Sequence, residues 1–107
     1  MRLIVRKSSA FFGDYEAITR WYLRRADANV AKRWLDALDD TIQQIAATPE
    51  LGRVRNFLHP ELKDIRSVSV RRPFHRHLVF YRINGSELVV ERIIHGSRDL
   101  PNRLLHS

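Results

Sequence analysis

The residues best suited to chemistry lie at the end of the last predicted strand. Glu91, His95 and Arg98 fall within eight positions and supply a carboxylate, an imidazole and a guanidinium. A histidine or glutamate acts as a general base, and an arginine stabilises charge on a phosphate, so these residue types suit phosphodiester cleavage. A histidine at a strand end more often hydrogen-bonds a turn than catalyses a reaction. We therefore also expect a structural His95 whose proton is accepted by Asp99.

A second set of candidates is basic. The formal net charge is +7, and from position 53 to position 103 arginine and lysine outnumber aspartate and glutamate more than twofold. Contact with nucleic-acid phosphates, docking of an acidic protein and simple solubility all account for such an excess. We expect the arginine cluster of Arg71, Arg72 and Arg76 to bind acidic residues of a partner. The basic partner-binding candidates are Arg71, Arg72, Arg76, Arg82 and Arg98.

Composition argues against several other classes of protein. The chain has no cysteine, which excludes disulfides and thiolate metal sites. His75 and His77 have no carboxylate among them, so we expect no metal, and no sequence motif indicates a cofactor. No apolar run approaches the roughly 20 residues of a membrane span, and the charged N-terminus is unlike a signal peptide. A cytoplasmic protein is the expectation.

The elements that must position these residues fit one domain over residues 1–107. Apolar runs predict a first strand over Arg2–Arg6 and later strands over Ile65–Val70, His77–Ile83 and Glu87–His95. Asn84, Gly85 and Ser86 separate the last two, and Asn-Gly between apolar runs is a strong hairpin signal. We expect the first strand to pair with these later hairpins.

Two helices are predicted between the first strand and the hairpins. Ser8 or Ser9 caps a helix that begins at Ala10, and Asp27 caps a second helix that runs to about Thr48. Apolar residues recur every three to four positions in both helices, so we expect an antiparallel helical hairpin that covers one face of the sheet. The core stripe of the second helix comprises Ala31, Trp34, Leu35, Leu38, Ile42, Ile45 and Ala46.

Two aromatic residues of the first helix fall outside its apolar stripe. Phe12 and Trp21 are therefore predicted as anchors for a partner, because aromatic residues dominate binding hot spots. Asp14 is predicted to favour the first helical turn through the helix dipole. In the later chain, Phe57 and Leu58 are expected to pack back onto the core.

Alternation along the strands predicts which residues share a face. In the middle strand, Val79 and Tyr81 are predicted on one face of the sheet, and Leu78 and Phe80 on the other.

In the last strand, the same alternation predicts one face with Leu88 and Val90 and the other with Val89 and Ile93. Both faces carry apolar residues in the middle of the sheet, which fits helices on one side and partial cover on the other.

Four motifs follow one another in a fixed order along the chain: Ala10-x3-Asp14-x3-Ile18-x3-Tyr22, Pro49-x2-Gly52-Arg53, Phe80-Tyr81-Arg82 and Arg92-Ile93-Ile94-His95-Gly96-x-Arg98-Asp99. Together they resemble the RelE/ParE superfamily of bacterial type II toxins, in particular its ParE and plasmid-stabilisation branch. The resemblance implies an α+β fold of order β-α-α-β-β-β, in which a helical hairpin packs on a mainly antiparallel sheet.

The resemblance implies one of two activities. ParE-type toxins inhibit DNA gyrase, RelE-type toxins are ribosome-dependent mRNA endoribonucleases, and a cognate antitoxin neutralises both. The arginine of the RelE nucleases is replaced here by Leu78, their paired lysines fall near Ser67 and Ser69, and no tyrosine follows Arg98. This favours a non-enzymatic gyrase inhibitor held by a ParD-like antitoxin. A nuclease that uses Arg98, His95 and Glu91, or a nontoxic remnant that only binds antitoxin, remains the alternative.

Overall fold

A five-stranded sheet with strand order β1-β5-β4-β3-β2 forms the centre of the fold. The structure, a computed structural model, describes residues 2–96 and 100–106, apart from the side chains of residues 102, 103 and 106. In chain order the elements are β1 Ile4–Lys7, α1 Ser9–Arg25, α2 Ala28–Ala47, β2 Arg53–Val54, β3 Arg66–Ser69, β4 His77–Asn84, β5 Glu87–His95 and α3 Leu100–His106. The strand β1 runs parallel to β5, and all other pairs are antiparallel. The predicted α+β class and core element order are confirmed; β2 and α3 are additional.

Side-chain caps fix where the two long helices begin. The Ser8 hydroxyl accepts a hydrogen bond from the Phe11 N–H at 3.0 Å and donates one to the Glu91 carbonyl at 2.6 Å. The Asp27 carboxylate accepts from the Val30 N–H at 2.9 Å. Each cap satisfies a backbone donor that the first helical turn leaves unpaired. The Ser8 cap also ties the start of α1 to β5.

The main core lies between the helical hairpin and one face of the sheet. The helix α2 contributes the fully buried Trp34 and Ile45, as its stripe predicts. The indole N–H of Trp34 donates to the Thr19 hydroxyl of α1 at 3.2 Å, so the buried ring has its polar group paired. The sheet residues of this core are Val70, Val79, Tyr81, Leu88, Val90 and Ile93.

A smaller core covers part of the opposite face. It comprises Leu62, Ile65, Phe80, Ile94 and Leu100. Phe57 packs against this cluster, as predicted, but the prediction for Leu58 is wrong, because its side chain is 102% exposed. Leu58 lies at a bend of the chain, and its side chain projects into solvent while that of Phe57 packs inward.

A β-bulge at Glu91 changes the face assignment of β5. Val90 and Arg92 lie opposite adjacent residues of β4, which leaves Glu91 as the extra residue between them. The prediction that Ile93 shares a face with Val89 is therefore wrong. Because the bulge shifts the alternation by one residue, Ile93 packs in the main core.

The hairpin turn between β4 and β5 is shorter than predicted. Asn84 pairs with Glu87, so the turn consists of Gly85 and Ser86. Gly85 has φ of 61°, which glycine adopts readily and most residues do not. Within the described residues, no helix has the length and apolar character needed to cross a membrane.

Candidate partner-binding groove

A groove of about 480 Å³ lies between the second half of α1 and the segment that joins β3 to β4. Its walls are mainly apolar and include Ile18, Trp21 and Phe74, while Arg76 and His95 stand among the polar lining residues. Three residues predicted from the sequence to act in function, Trp21, Arg76 and His95, thus meet in one place. An apolar concavity with a few convergent polar groups is typical of binding sites.

Aromatic rings set the shape of the groove. Tyr22 makes edge contacts with Trp21 at 5.1 Å and with Phe74 at 5.4 Å between ring centroids. Trp21 stays 48% exposed, and the guanidinium of Arg25 lies 5.9 Å from its ring centroid. Because the rings brace one another, the apolar wall is preformed, and a partner does not have to order it.

His77 forms the polar floor of the groove. Its Nε2 is 3.0 Å from the Tyr22 hydroxyl, and its Nδ1 is buried with no hydrogen-bond partner among the described residues. Burial, and next the nearby His95, lowers the pKa of His77 from 6.5 to about 4. The imidazole is therefore uncharged at neutral pH.

The two described residues of the nuclease hypothesis, His95 and Glu91, are not gathered in this groove. His95 lies at its edge, with its ring centroid 5.7 Å from that of His77. Glu91 lines a different cavity, where it accepts a hydrogen bond from Arg82 Nε at 2.9 Å. Arg98 and Asp99 lie outside the described residues, and so does the predicted bond between His95 and Asp99.

The predicted basic residues differ in how far internal partners engage them. Arg71 forms an ion pair with Asp40. Arg82 donates to Glu91 and to two backbone carbonyls, one of them that of Lys63 at 2.9 Å.

Arg72 and Arg76 are exposed, and neither forms an ion pair within the described part of the chain. These two arginines therefore present accessible positive charge, Arg76 in the lining of the groove and Arg72 next to Pro73, which also lines it. Among the described side chains, no group of three or more acidic or histidine residues is arranged to hold a metal ion.

The two predicted aromatic anchors lie on opposite flanks of α1. Phe12 and Trp21 are nine positions apart, which at about 100° per residue is a rotation equivalent to half a turn. Phe12 is 52% exposed and contacts Phe11, whereas Trp21 lines the groove. A single straight helix of a partner therefore cannot cover both rings.

The model of the family described as ParE toxin of type II toxin–antitoxin system, parDE, matches residues 5–100. The chain belongs to this ParE toxin family. Toxin ParE3 of Caulobacter vibrioides is 33% identical over 92 residues, which cover 86% of this chain and 85% of that protein.

Solved structures share the ParE fold. The chromosomal ParDE toxin–antitoxin system from P. aeruginosa matches with a TM-score of 0.72 and 16% identity, over 90% of this chain and 98% of that one. A YoeB/ParE toxin from Agrobacterium tumefaciens matches with a TM-score of 0.57 and 23% identity, over 89% of this chain and 100% of that one. The RelBE2 toxin–antitoxin complex from Mycobacterium tuberculosis matches with a TM-score of 0.51 and 18% identity, over 90% of this chain and 100% of that one.

One contact between the ParE-like motifs joins α1 to β5. The Asp14 carboxylate accepts from Arg92 Nε at 2.7 Å and Nη2 at 2.9 Å, and from the Ile93 N–H at 3.0 Å. The hydrogen bond that Arg92 donates to Asp14 raises the pKa of Arg92. The predicted first-turn role of Asp14 is wrong, because α1 begins at Ser9 and has no acidic residue in its first turn. The sequence hint of this contact is that Asp14 and Arg92 each belong to a ParE-like motif.

A second contact between motifs fixes the chain after α2. The Tyr81 hydroxyl donates to the Pro49 carbonyl at 2.6 Å and accepts from the Gly52 N–H at 2.8 Å. A Cβ atom at Gly52 would lie 2.2 Å from this hydroxyl, so glycine is required by space. Burial raises the pKa of Tyr81, which keeps the hydroxyl protonated as a donor. These contacts between ParE-like motifs therefore stabilise the fold, while Ile18 and Tyr22 of the first motif and His95 of the last also line the groove.

Proposed function

We propose that this ParE-family chain is a toxin that inhibits DNA gyrase by binding it and that a cognate ParD-like antitoxin neutralises it. The family match over residues 5–100 and the ParE3 relative support the assignment. The structural observation that carries it is the groove, where apolar walls adjoin two arginines without ion pairs in the described chain. Such a surface suits tight protein binding.

The separation of the nuclease candidates supports inhibition over catalysis. His95 lines the groove, whereas Glu91 is bonded to Arg82 in another cavity. His77 is uncharged at neutral pH and bonded to Tyr22. A base and an acid for phosphodiester cleavage need to reach one substrate together, and Glu91 lines a different cavity from His95.

The proposed occupant of the groove is a segment of the antitoxin. An apolar side chain of that segment fits between Trp21 and Phe74, and flanking carboxylates pair with Arg72 and Arg76. The positive charge of the chain favours an acidic partner.

The other predicted partner-binding residues stand further from this contact. A wrapping antitoxin reaches Phe12 on the far flank of α1, and Arg98 remains a proposed contact. Arg71 and Arg82 bind a partner only after releasing Asp40 and Glu91. We therefore expect Arg72 and Arg76 to contribute most of the charge pairing.

The deciding experiment is expression of the chain with and without the antitoxin encoded beside it, combined with a supercoiling assay on purified gyrase. We expect growth arrest and loss of supercoiling, both reversed by the antitoxin. Cleavage of mRNA in the ribosomal A site with unaffected gyrase would instead establish the endoribonuclease. Normal growth combined with antitoxin binding would establish a nontoxic remnant.

The groove itself is tested with matched apolar truncations on α1. Trp21→Ala removes a groove wall, and Leu23→Ala removes an exposed apolar side chain that does not line the groove. We expect Trp21→Ala to weaken antitoxin binding about tenfold or more, as for an interface hot spot, and Leu23→Ala to have a much smaller effect. Equal effects would place the antitoxin elsewhere.

A further inference from the structure

A second functional surface lies at the far edge of the sheet, on β2 and the residues that follow it. Arg53 stands opposite Ser67 in the β2–β3 ladder, and Arg55 Nη1 donates to the Ser67 hydroxyl at 3.2 Å. Residues opposite each other share a face of the sheet, so both guanidinium groups flank Ser67. They lie on the face of the smaller core, because Ser67 is in turn opposite Phe80.

The two arginines hold positive charge that the described chain does not neutralise. No carboxylate among the described residues forms an ion pair with Arg53 or Arg55. Burial, and next the charge of Arg53, lowers the pKa of Arg55. Like charges held together disfavour the folded state, and an anion placed between them relieves this cost.

An aromatic ring continues the same face. The Arg55 guanidinium lies 5.4 Å from the ring centroid of Phe57, which is half-buried against the smaller core. The packing of Phe57 and the bond to Ser67 hold Arg55 in place from two sides. The result is two cations, Arg53 and Arg55, with the aromatic ring of Phe57 beside the second of them.

We propose that Arg53, Arg55 and Phe57 form a binding site for single-stranded nucleic acid. The two arginines contact successive phosphates, and a base stacks on the surface of Arg55 and Phe57. Cationic side chains that follow a strand's backbone, next to planar groups on which bases stack, are the combination that single strands require. An acidic peptide would need only the two charges, so the aromatic surface favours the nucleic acid. The proposal goes beyond gyrase inhibition and holds whether or not gyrase is the target.

The test is fluorescence anisotropy of a labelled single-stranded oligonucleotide, titrated with the purified full chain at several salt concentrations. The variant Arg53→Gln/Arg55→Gln removes both phosphate contacts. The control variant Arg24→Gln/Arg33→Gln removes the same charge from exposed positions on the two helices. For a single strand, loss of two phosphate contacts reduces the slope of log affinity against log salt by about 1.4.

We expect the Arg53/Arg55 variant to bind about tenfold more weakly and with the reduced slope, and the control to remain close to the wild-type protein. Phe57→Leu keeps apolar packing but removes the ring, so it should weaken binding without changing the slope. Thermal unfolding of each variant verifies that it is folded.

Three results would overturn the proposal. The first is an equal loss of affinity in the two double variants, which would mean that binding follows total charge. The second is displacement of the oligonucleotide by poly-glutamate at the same charge concentration, which would mean that the site recognises carboxylates as well as phosphates. Absence of binding by the wild-type chain in low salt would also refute it.

Discussion

Tyr22 and His77 share a hydrogen bond of 3.0 Å that joins α1 to β4 across the floor of the groove. The bond joins Tyr22, which belongs to a ParE-like motif, to the first residue of the β4–β5 hairpin. It also places an imidazole where solvation is poor, which is why the pKa of His77 falls to about 4. The stability of the fold and the polarity of the groove therefore depend on the same side chain.

Acidification should destabilise the protein through His77. Between the pKa of about 4 in the folded chain and the ordinary value of 6.5, the unfolded chain binds a proton that the folded chain does not. This contribution to stability is complete above pH 6.5 and is lost as the pH falls towards 4. After allowance for the partial exposure of the ring, we expect a loss of about 2 kcal/mol, measured by urea unfolding.

Two histidine variants separate this effect from general acid denaturation. His77→Gln should reduce the difference in unfolding free energy between neutral and acidic solution. His75→Gln, at an exposed neighbouring position, should leave that difference unchanged. An unaltered pH dependence in His77→Gln would exclude His77 as its source.

Gly52→Ala should destabilise the fold because the added methyl group collides with the Tyr81 hydroxyl. The collision displaces Tyr81 from the Pro49 carbonyl, and overpacking of this kind costs about 1–3 kcal/mol. Gly13→Ala is the matched control: nothing lies within 4 Å of a Cβ there, and the position is inside α1. Chemical denaturation should show Gly13→Ala to be about 0.5–1 kcal/mol more stable than the wild-type protein. The same sign for both substitutions would contradict the assigned contacts.

Asp14→Ala should cost about 3 kcal/mol of unfolding free energy. The substitution removes the carboxylate that faces Arg92, a residue only 8% exposed, and also the acceptor for the Ile93 N–H. Removal of one partner from a buried ion pair is strongly destabilising. Glu16→Ala, which removes an exposed i,i+4 partner of Arg20, should change stability by about 0.5 kcal/mol or less. A small effect for Asp14→Ala would mean that the other contacts of α1, its apolar stripe and the bonds of Ser8 and Tyr22, suffice to anchor the helix.

Charge reversal of Arg72 and Arg76 together should weaken binding of the antitoxin without unfolding the chain. Both side chains are exposed, so the thermal midpoint should stay close to the wild-type value. We expect the dissociation constant in a calorimetric titration to rise about tenfold or more. The control variant Arg24→Glu/Arg33→Glu makes the same change in net charge on the two helices, away from the β3–β4 connection that carries Arg72 and Arg76. Equal affinity in the wild-type and Arg72/Arg76 proteins would remove these two residues from the interface.

Local sequence patterns predicted the elements that depend on neighbouring residues. The caps Ser8 and Asp27 begin the helices, and Asn84-Gly85 marks the hairpin turn. The stripe of α2 identified the core because a helical period relates residues only three or four positions apart. Trp34 and the residues that follow it are buried for this reason.

Features that depend on distant partners could not be predicted in this way. The bulge at Glu91 has no local signal, and it reversed the expected face of Ile93. The role of Asp14 depends on Arg92, 78 positions away.

The groove was likewise hidden from the sequence. It forms only when Trp21 of α1 and Phe74 of the β3–β4 connection are brought together by the fold. Apolar periodicity placed Trp21 outside the core stripe of the first helix and gave no indication that Phe74 faces it.

The parallel pairing of β1 with β5 has a consequence for how the toxin is made. Residues 4–7 find their place only beside residues 87–90, and β5 lies between β1 and β4 in the sheet. A growing chain therefore cannot complete its sheet on the ribosome until β5 has been translated. The groove, whose lining includes His95 of β5, is likewise complete only after this strand has been made.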